Sequence, residues 1–284
     1  MTPLPPGTVA RLEAAHPRLF RRPAGERLRR AAVGLAFPAF TAYAAHRLGF
    51  FDLRAILQGL SRLGGVLAFM WPPAPHDQIA EFATGILETL AMAFLGTLAA
   101  AVVAVPLGFA GARNVVSARP LHFGIRRLFD ACRGMSQLIW AMIFINVVGL
   151  GPFAGILAIA VADSAVLAKL FAEAIEAIDP RQTEGIRAAG GGRLAVMRLG
   201  ILPQVLPVML SQALYYFESN TRSSTILGFV GAGGIGLQLA DRIRVDNWDE
   251  AGFIILMILG VVALIDTLSR RLRQRFIGPA AVSR

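Results

Sequence analysis

The sequence predicts an all-α integral membrane protein with about six transmembrane helices. Three observations support this class: 55% of the 284 residues are hydrophobic, only 16% are charged, and several uncharged runs are long enough to cross a bilayer, which needs about 20 apolar residues. Soluble domains carry about 25% charged residues, so a compact water-soluble enzyme is disfavoured. The high hydrophobicity also excludes an intrinsically disordered chain.

Uncharged runs divide the chain into six predicted spans. Pro38 interrupts the first and weakest of them. Residues 134–162 are too many for one crossing, and the Gly-Leu-Gly-Pro sequence at residues 149–152 predicts a turn that divides this run into a helical hairpin. The predicted spans are residues 31–45, 89–112, about 128–148, about 152–172, 199–217 and 251–269.

The basic residues predict the orientation of the spans. With six crossings, 22 of the 28 lysine and arginine residues fall on one side of the membrane. The positive-inside rule assigns that side to the cytoplasm, so both termini are predicted to be cytoplasmic. The net charge of +10 therefore follows from membrane topology and does not indicate a nucleic-acid partner. The four basic segments are residues 1–30, 113–133, 169–198 and 270–284.

Two further segments are predicted to be helical or buried without being ordinary spans. Residues 52–70 repeat leucine or isoleucine every three or four positions, which predicts a helix on the outer membrane surface or, equally, one packed on the other spans. Residues 223–240 are uncharged but contain five glycines, which disfavour a straight helix. Irregular backbone at membrane depth needs cover from protein or water, so this segment is predicted to be buried or re-entrant and to line a cavity.

A polar segment between the fourth and fifth spans predicts a cytoplasmic helical hairpin. Asp179 can cap a short helix whose first residue is Pro180. The glycines at residues 190–192 end that helix, and a second helix begins at Arg193. Pro203 marks the entry into the fifth span.

Within this hairpin, Glu184, Gly190, Leu202 and Pro203 fit the spacing of a signature that reads Glu-Ala-Ala, three residues, Gly, nine residues, Ile-x-Leu-Pro. On these residues the chain resembles the permease subunits of ABC importers. The stretches FAEAIEAIDPRQTEGIRAAG, LPQVLP and RSSTILGFVGAGGIG resemble the phosphonate importer branch, and the resemblance covers about residues 85–270. The chain departs from the signature where Gly185 and Ile186 replace the two alanines and Gly200 replaces the isoleucine.

The resemblance implies a type I ABC importer permease fold in the bacterial inner membrane. In such importers the hairpin is a coupling helix that docks on a separate ATPase. A P-loop is absent from the sequence, so the chain is predicted to be a non-enzyme without a cofactor, and the partner binds ATP. The implied partners are a second copy of the permease, two ATPase subunits and an external binding protein. The coupling residues implied are Glu184, Gly185, Ile186, Arg187, Gly190, Leu202 and Pro203.

Polar and glycine residues after the fifth uncharged run predict a translocation pathway for a phosphonate or a related oxyanion such as phosphite or phosphate. Guanidinium and hydroxyl groups suit a tetrahedral oxyanion. A structural role is the favoured alternative, since Glu218 and Arg222 can pair on one helix face and the glycines can permit close packing. The candidate pathway residues are Glu218, Asn220, Arg222, Ser223, Ser224, Gly231, Gly233 and Gly234.

Two other function classes stay open at this point. One is an ion-coupled secondary transporter with Asp163 or Glu218 as the proton carrier, although Asp163 is better explained as a polar contact between helices. The other is an intramembrane enzyme, which no nucleophile, metal-ligand cluster or cofactor motif supports. The predicted organisation is a basic cytoplasmic segment (1–30), a first span with an outer helix (31–84), the permease core (85–270, with the coupling hairpin at 173–203) and a basic cytoplasmic tail (271–284).

Overall fold

The computed structural model describes residues 14–15, 24–116 and 119–277, and all regular elements in those ranges are helical. The chain divides into two compact units, residues 1–65 and 66–284. The helices α1 (Ala24–Arg47) and most of α2 (Leu53–Phe69) belong to the first unit. The Asp52 carboxylate caps α2 by accepting hydrogen bonds from the Arg54 and Ala55 backbone amides at 3.1 and 3.2 Å. No residue of α2 is buried.

The described residues of the second unit form eight further helices, numbered α3 to α10. Short helical segments join some of them: a 3₁₀ turn at His76–Gln78, a helical turn at Arg193–Ala195, and π-helical turns at Val196–Ile201 and Gly228–Ala232. The helices are α3 (Ile79–Gly111), α4 (Arg119–Arg133), α5 (Gln137–Val148), α6 (Pro152–Glu176), α7 (Pro180–Ala188), α8 (Leu202–Leu227), α9 (Gly234–Arg244) and α10 (Trp248–Ile277).

Four stretches of the described residues are long and apolar enough to cross a membrane, and they contain α3, α6, α8 and α10. The bent pair α4 and α5 would be a fifth span. The first predicted span forms the helix α1, but its composition leaves it outside this set. Its crossing of the membrane therefore stays a prediction.

The third predicted span is not one straight helix from residue 128. The chain bends by 83° between α4 and α5, and the break lies at residues 134–136. Because α5 has 12 residues, it is only about 18 Å long and cannot cross a bilayer core of about 30 Å alone. The turn at residues 149–152 was predicted correctly, since α5 ends at Val148 and α6 begins at Pro152.

Small residues bring α3 and α6 into close contact along much of their length. A Cβ atom added to Gly96 would lie 2.7 Å from the Ile159 Cβ, and one added to Gly108 would lie 2.7 Å from the Phe171 Cβ. Glycine at these positions permits an approach that any side chain would prevent. The helices α4, α5, α8 and α9 each pack against one or both members of this pair, and α10 packs against α8 and α9.

The glycine segment after α8 is a kink, and the chain continues beyond it in α9. Gly231 and Gly233 have φ angles of 102° and 78°, which side-chain-bearing residues rarely adopt. The Gly234 amide donates to the Glu88 carboxylate at 3.0 Å, and eight residues later Arg242 pairs with Glu81 at 3.4 Å. Since these contacts run backwards along α3, α9 is antiparallel to it. Most residues of the segment are buried, as predicted, and the re-entrant alternative stays a prediction.

Candidate functional site

The coupling hairpin begins with α7, whose ends match the prediction. The Asp179 carboxylate accepts a hydrogen bond from the Arg181 amide at 3.0 Å, and Pro180 is the first residue of the helix. Gly190, with a φ of 82°, follows the helix end. We refer to the end of the second unit that carries α7 as the α7 side.

Most of the predicted coupling residues are exposed to solvent on the surface of the hairpin. Glu184, Gly185, Arg187 and Gly190 are exposed, and Ile186 is half-buried. At the end of the hairpin, Leu202 is half-buried at the start of α8 and Pro203 is exposed. No hydrogen bond or ion pair of the Glu184 side chain is found within the part of the chain that the structure describes.

Gly200, one of the two glycines that depart from the importer signature, has a packing reason. A Cβ atom on Gly200 would lie 3.1 Å from both Ile186 Cδ1 and Thr183 Cγ2 of α7. The Gln204 side chain donates to the Gly200 carbonyl at 2.6 Å and accepts from the Asp179 amide at 3.1 Å. Gln204 thus ties α7 to the start of α8. Sequence reasoning missed it, because nothing local indicates that its partner lies 25 residues away.

A set of neutral and acidic side chains, of which three are buried and Gln137 is half-buried, joins four helices. We call Thr97, Gln137, Asp163 and Asn220 the amide cluster. The Asn220 amide donates to Thr97 Oγ1 at 2.9 Å and to Asp163 Oδ2 at 2.6 Å. The Gln137 amide donates to Asp163 Oδ1 and to Asn220 Oδ1, both at 2.9 Å. Asp163 is therefore a polar contact between helices, as the favoured alternative predicted.

A second polar set links α8 to α10, and we call Glu218, Arg222, Asp266 and Arg273 the ion-pair cluster. Arg273 pairs with Glu218 at 2.7 Å, and Arg222 pairs with Asp266 at 3.2 Å. The predicted pair within α8, Glu218 with Arg222, is present at 3.9 Å. The shorter contacts reach α10, so the cluster fastens two helices together.

The eight predicted pathway residues do not converge on one surface. Glu218 and Arg222 face α10, whereas Asn220, two positions from each, faces α3, α5 and α6. Two residues correspond to about 200° around a helix, so these side chains point in opposite directions. Ser223 is half-buried and Ser224 is fully buried, and the Ser224 hydroxyl has no hydrogen-bond partner among the described residues.

The three glycines of the predicted pathway are buried at the kink. The Gly231 carbonyl accepts a hydrogen bond from the Gly151 amide at 3.0 Å, which joins the kink to the turn between α5 and α6. A Cβ atom on Gly233 would lie 2.9 Å from the Pro152 ring. Gly234 begins α9 against α3. All three glycines therefore contribute to close packing in this structure.

Charged groups also gather at the end of the unit opposite the α7 side. Arg242 of α9 pairs with Glu250 and Glu81, and His76 contacts Asp249 at 2.7 Å. These contacts join the start of α3 to α9 and α10. No group of three or more histidine, cysteine, aspartate or glutamate residues suitable for a metal ion occurs among the residues that the structure describes.

The fold, with a short exposed helix between two spans and a kinked span after it, is that of a type I ABC importer permease. The chain belongs to the family of binding-protein-dependent transport system inner membrane components, whose family model matches residues 104–278. It is thus the membrane-embedded subunit of a transport system. Permeases of ABC importers work with ATPase and substrate-binding partners.

Two relatives illustrate the sequence likeness. The chain is 37% identical over 230 residues to a phosphite transport system permease protein, PtxC, of Stutzerimonas stutzeri, covering 81% of this chain and 83% of the relative. It is 47% identical over 121 residues to a putative cryptic phosphonate transport system permease protein, PhnE2, of Escherichia coli K12, covering 43% and 99%.

A solved structure shares the fold. In the inward-facing methionine ABC transporter MetNI, the matching chain superposes with a TM-score of 0.64 at 20% identity, covering 72% of this chain and 99% of that chain.

Proposed function

We propose that the chain forms half of the pathway by which an ATP-driven importer moves a phosphorus oxyanion (phosphonate, phosphite or phosphate) across the bacterial inner membrane. Two copies would pair with two ATPase subunits, which bind ATP, and with an external binding protein. Residues 1–30 and 271–284 would lie in the cytoplasm. The names of the relatives support this substrate class.

The main support for the coupling role is the structure of α7. It is a capped helix of nine residues whose acidic and basic side chains lie exposed between two spans. The Gln204 bonds and the Gly200 contact join it to the start of α8. A displacement of α7 would therefore be transmitted to α8, the span that contributes residues to both polar clusters. The residues that would contact the ATPase are Glu184, Gly185, Ile186, Arg187 and Gly190. Leu202 and Pro203 would begin the span that moves with α7.

The sequence provides no P-loop, so ATP hydrolysis in this proposal belongs to the partner. The ion-coupled alternative has less support. Asp163 is 4% exposed and its two oxygens are engaged by amide donors. Glu218 is engaged by Arg273 at 2.7 Å.

Replacing Glu184 tests the docking surface. In Glu184→Ala we expect the amount of ATPase that co-purifies with the permease to fall about tenfold, because an exposed anchor at an interface centre is lost. The matched control is Asp77→Ala, an exposed acid in the turn before α3, at the opposite end of the unit. It should retain the ATPase. Full retention by Glu184→Ala, with normal folding, would contradict the proposed docking.

A further inference from the structure

The α7 half of the second unit contains a cavity that the predicted pathway residues do not include. Its volume is about 340 Å³, near the lower end of the range for small-molecule pockets, about 300–1,000 Å³. Three helices supply its lining: α4, α6 and α8. The lining residues are Arg133, Val166, Lys169, Leu170, Glu173 and Tyr216.

The cavity lies directly on the α7 side of the amide cluster. Helix α6 runs toward α7, so Lys169 is about 9 Å beyond Asp163 along the axis. Helix α8 runs away from the hairpin, so Tyr216, four residues before Asn220, is also nearer the α7 side. Arg133 precedes Gln137 by four residues across the bend. Helix α6, helix α8 and the bent pair α4 and α5 thus each contribute one residue to the amide cluster. Each also contributes a cavity residue that lies closer to α7.

The charges around the cavity leave a positive balance. Lys169, the only lysine of the chain, pairs with Asp130 at 2.9 Å, and Arg127 pairs with the same carboxylate at 3.5 Å. Arg133 is exposed, and no carboxylate of the described ranges 24–116 and 119–277 pairs with it within 4.0 Å. Glu173 is exposed and lines the same space. The lining itself therefore contains two cations, Arg133 and Lys169, and one carboxylate, Glu173.

We propose that this cavity binds a tetrahedral phosphorus oxyanion on the α7 side of the pathway, immediately before its release. The Arg133 guanidinium and the Lys169 ammonium would donate charge-assisted hydrogen bonds, and the Tyr216 hydroxyl would add a neutral one. An anion in a low-dielectric membrane protein needs such compensation. Glu173 keeps the net charge low, which favours release. The inference rests on the proposed function.

Substitution of Arg133 gives the most specific test of the proposed site. Its side chain is exposed and unpaired among the described residues, so its loss should hardly affect folding. Arg127 provides the matched control, because it is an exposed arginine on the same helix that does not line the cavity. At Lys169, Lys169→Arg keeps the charge and the Asp130 pair, whereas Lys169→Met removes both.

The experiment uses the complete importer, with its ATPase and binding protein, and measures binding separately from transport. A Val166→Cys thiol in a Cys132→Ala background reports on the cavity through its rate of labelling by a small thiol reagent. Phosphite, inorganic phosphate and methylphosphonate are the probes, each also tested for uptake by the unsubstituted importer. Leu170→Cys replaces Val166→Cys if the latter fails to fold.

We expect a transported probe to slow labelling about tenfold, and Arg133→Gln to abolish that protection and to lower the maximal uptake rate by a similar factor. Arg127→Gln should keep both. Lys169→Met should lose protection, and Lys169→Arg, which keeps the charge, should lose less protection than Lys169→Met. A probe that is transported but does not slow labelling, or protection unchanged by Arg133→Gln, would overturn the site alone. Absence of uptake of all three probes by the unsubstituted importer would overturn the proposed function, whatever the labelling shows.

Discussion

The amide cluster and the ion-pair cluster both contain residues of α8, but they handle charge in opposite ways. In the amide cluster one carboxylate, Asp163, is 4% exposed and is held only by neutral side chains. In the ion-pair cluster, carboxylates meet guanidinium groups, and the Arg222 side chain is 47% exposed. A buried group depends on every partner, whereas a hydrated ion pair can exchange its partner for water. The amide cluster should therefore be far more sensitive to substitution.

The largest effect is expected from Asn220→Leu. This change removes three hydrogen bonds and leaves the Asp163 carboxylate with a single donor. We expect the free energy of unfolding in mixed micelles to fall by about 2–4 kcal/mol. The control is Gln212→Leu, an amide on the same helix without a hydrogen bond among the described residues, which should change stability by less than about 0.5 kcal/mol. Equal losses of unfolding free energy in the two variants would contradict the greater sensitivity expected of the amide cluster.

The next effect is expected from Glu218→Gln, which neutralises the carboxylate between Arg222 and Arg273. Its side chain is 14% exposed and that of Arg273 is 20% exposed, so water can only partly replace the lost pair. We expect a loss of about 1–2 kcal/mol in the same unfolding measurement. Asp241→Asn breaks an exposed pair with Arg244 and should be neutral. A neutral Glu218→Gln would mean that the ion-pair cluster is fully hydrated.

A smaller effect, under about 1 kcal/mol, is expected from Asp163→Asn. An amide in place of the carboxylate can still accept from the Gln137 or Asn220 amide, because its oxygen keeps an acceptor at that position. We also expect ATP-driven uptake to continue in this variant. Loss of uptake in a variant that folds normally would instead revive the proton-carrier alternative for Asp163.

The smallest effect is expected from Arg222→Gln. Its contacts with Asp266 and Glu218 span 3.2 and 3.9 Å, and the guanidinium is half-exposed. Surface ion pairs of this kind contribute about 0.5 kcal/mol, and added salt weakens them. The difference from the unsubstituted chain should therefore shrink further in high salt. If the free energy of unfolding fell by more than about 2 kcal/mol, the weak contribution expected for an exposed ion pair of Arg222 would be contradicted.

Local signals in the sequence predicted the hairpin well. Asp179 and Pro180 begin α7, the glycines from residue 190 follow its end, and the turn at residues 149–152 separates α5 from α6. Caps, prolines and glycines act over one turn of backbone, so their effects are readable from neighbouring residues. The bend of 83° before α5 was missed, because an uncharged run does not reveal where a helix changes direction.

The candidate site was less predictable. The sequence indicated that Asp163 needs polar partners, but Gln137 and Asn220 lie 26 and 57 positions away, and nothing in the sequence identifies them as those partners. The spacing of Glu218 and Arg222 predicted their weaker pair and not the shorter contacts with Arg273 and Asp266. These partners follow from how α8 and α10 pack, which only tertiary structure specifies.

The central claim is that ATP hydrolysis by a partner drives phosphorus oxyanion transport through this chain. Its most direct test is phosphite uptake by proteoliposomes that contain the permease and the ATPase, with the binding protein outside and an ionophore collapsing the proton gradient. We predict uptake when ATP is enclosed, and none when a non-hydrolysable analogue replaces it. Uptake that follows an imposed proton gradient without ATP, and stops when the gradient is collapsed, would contradict the account.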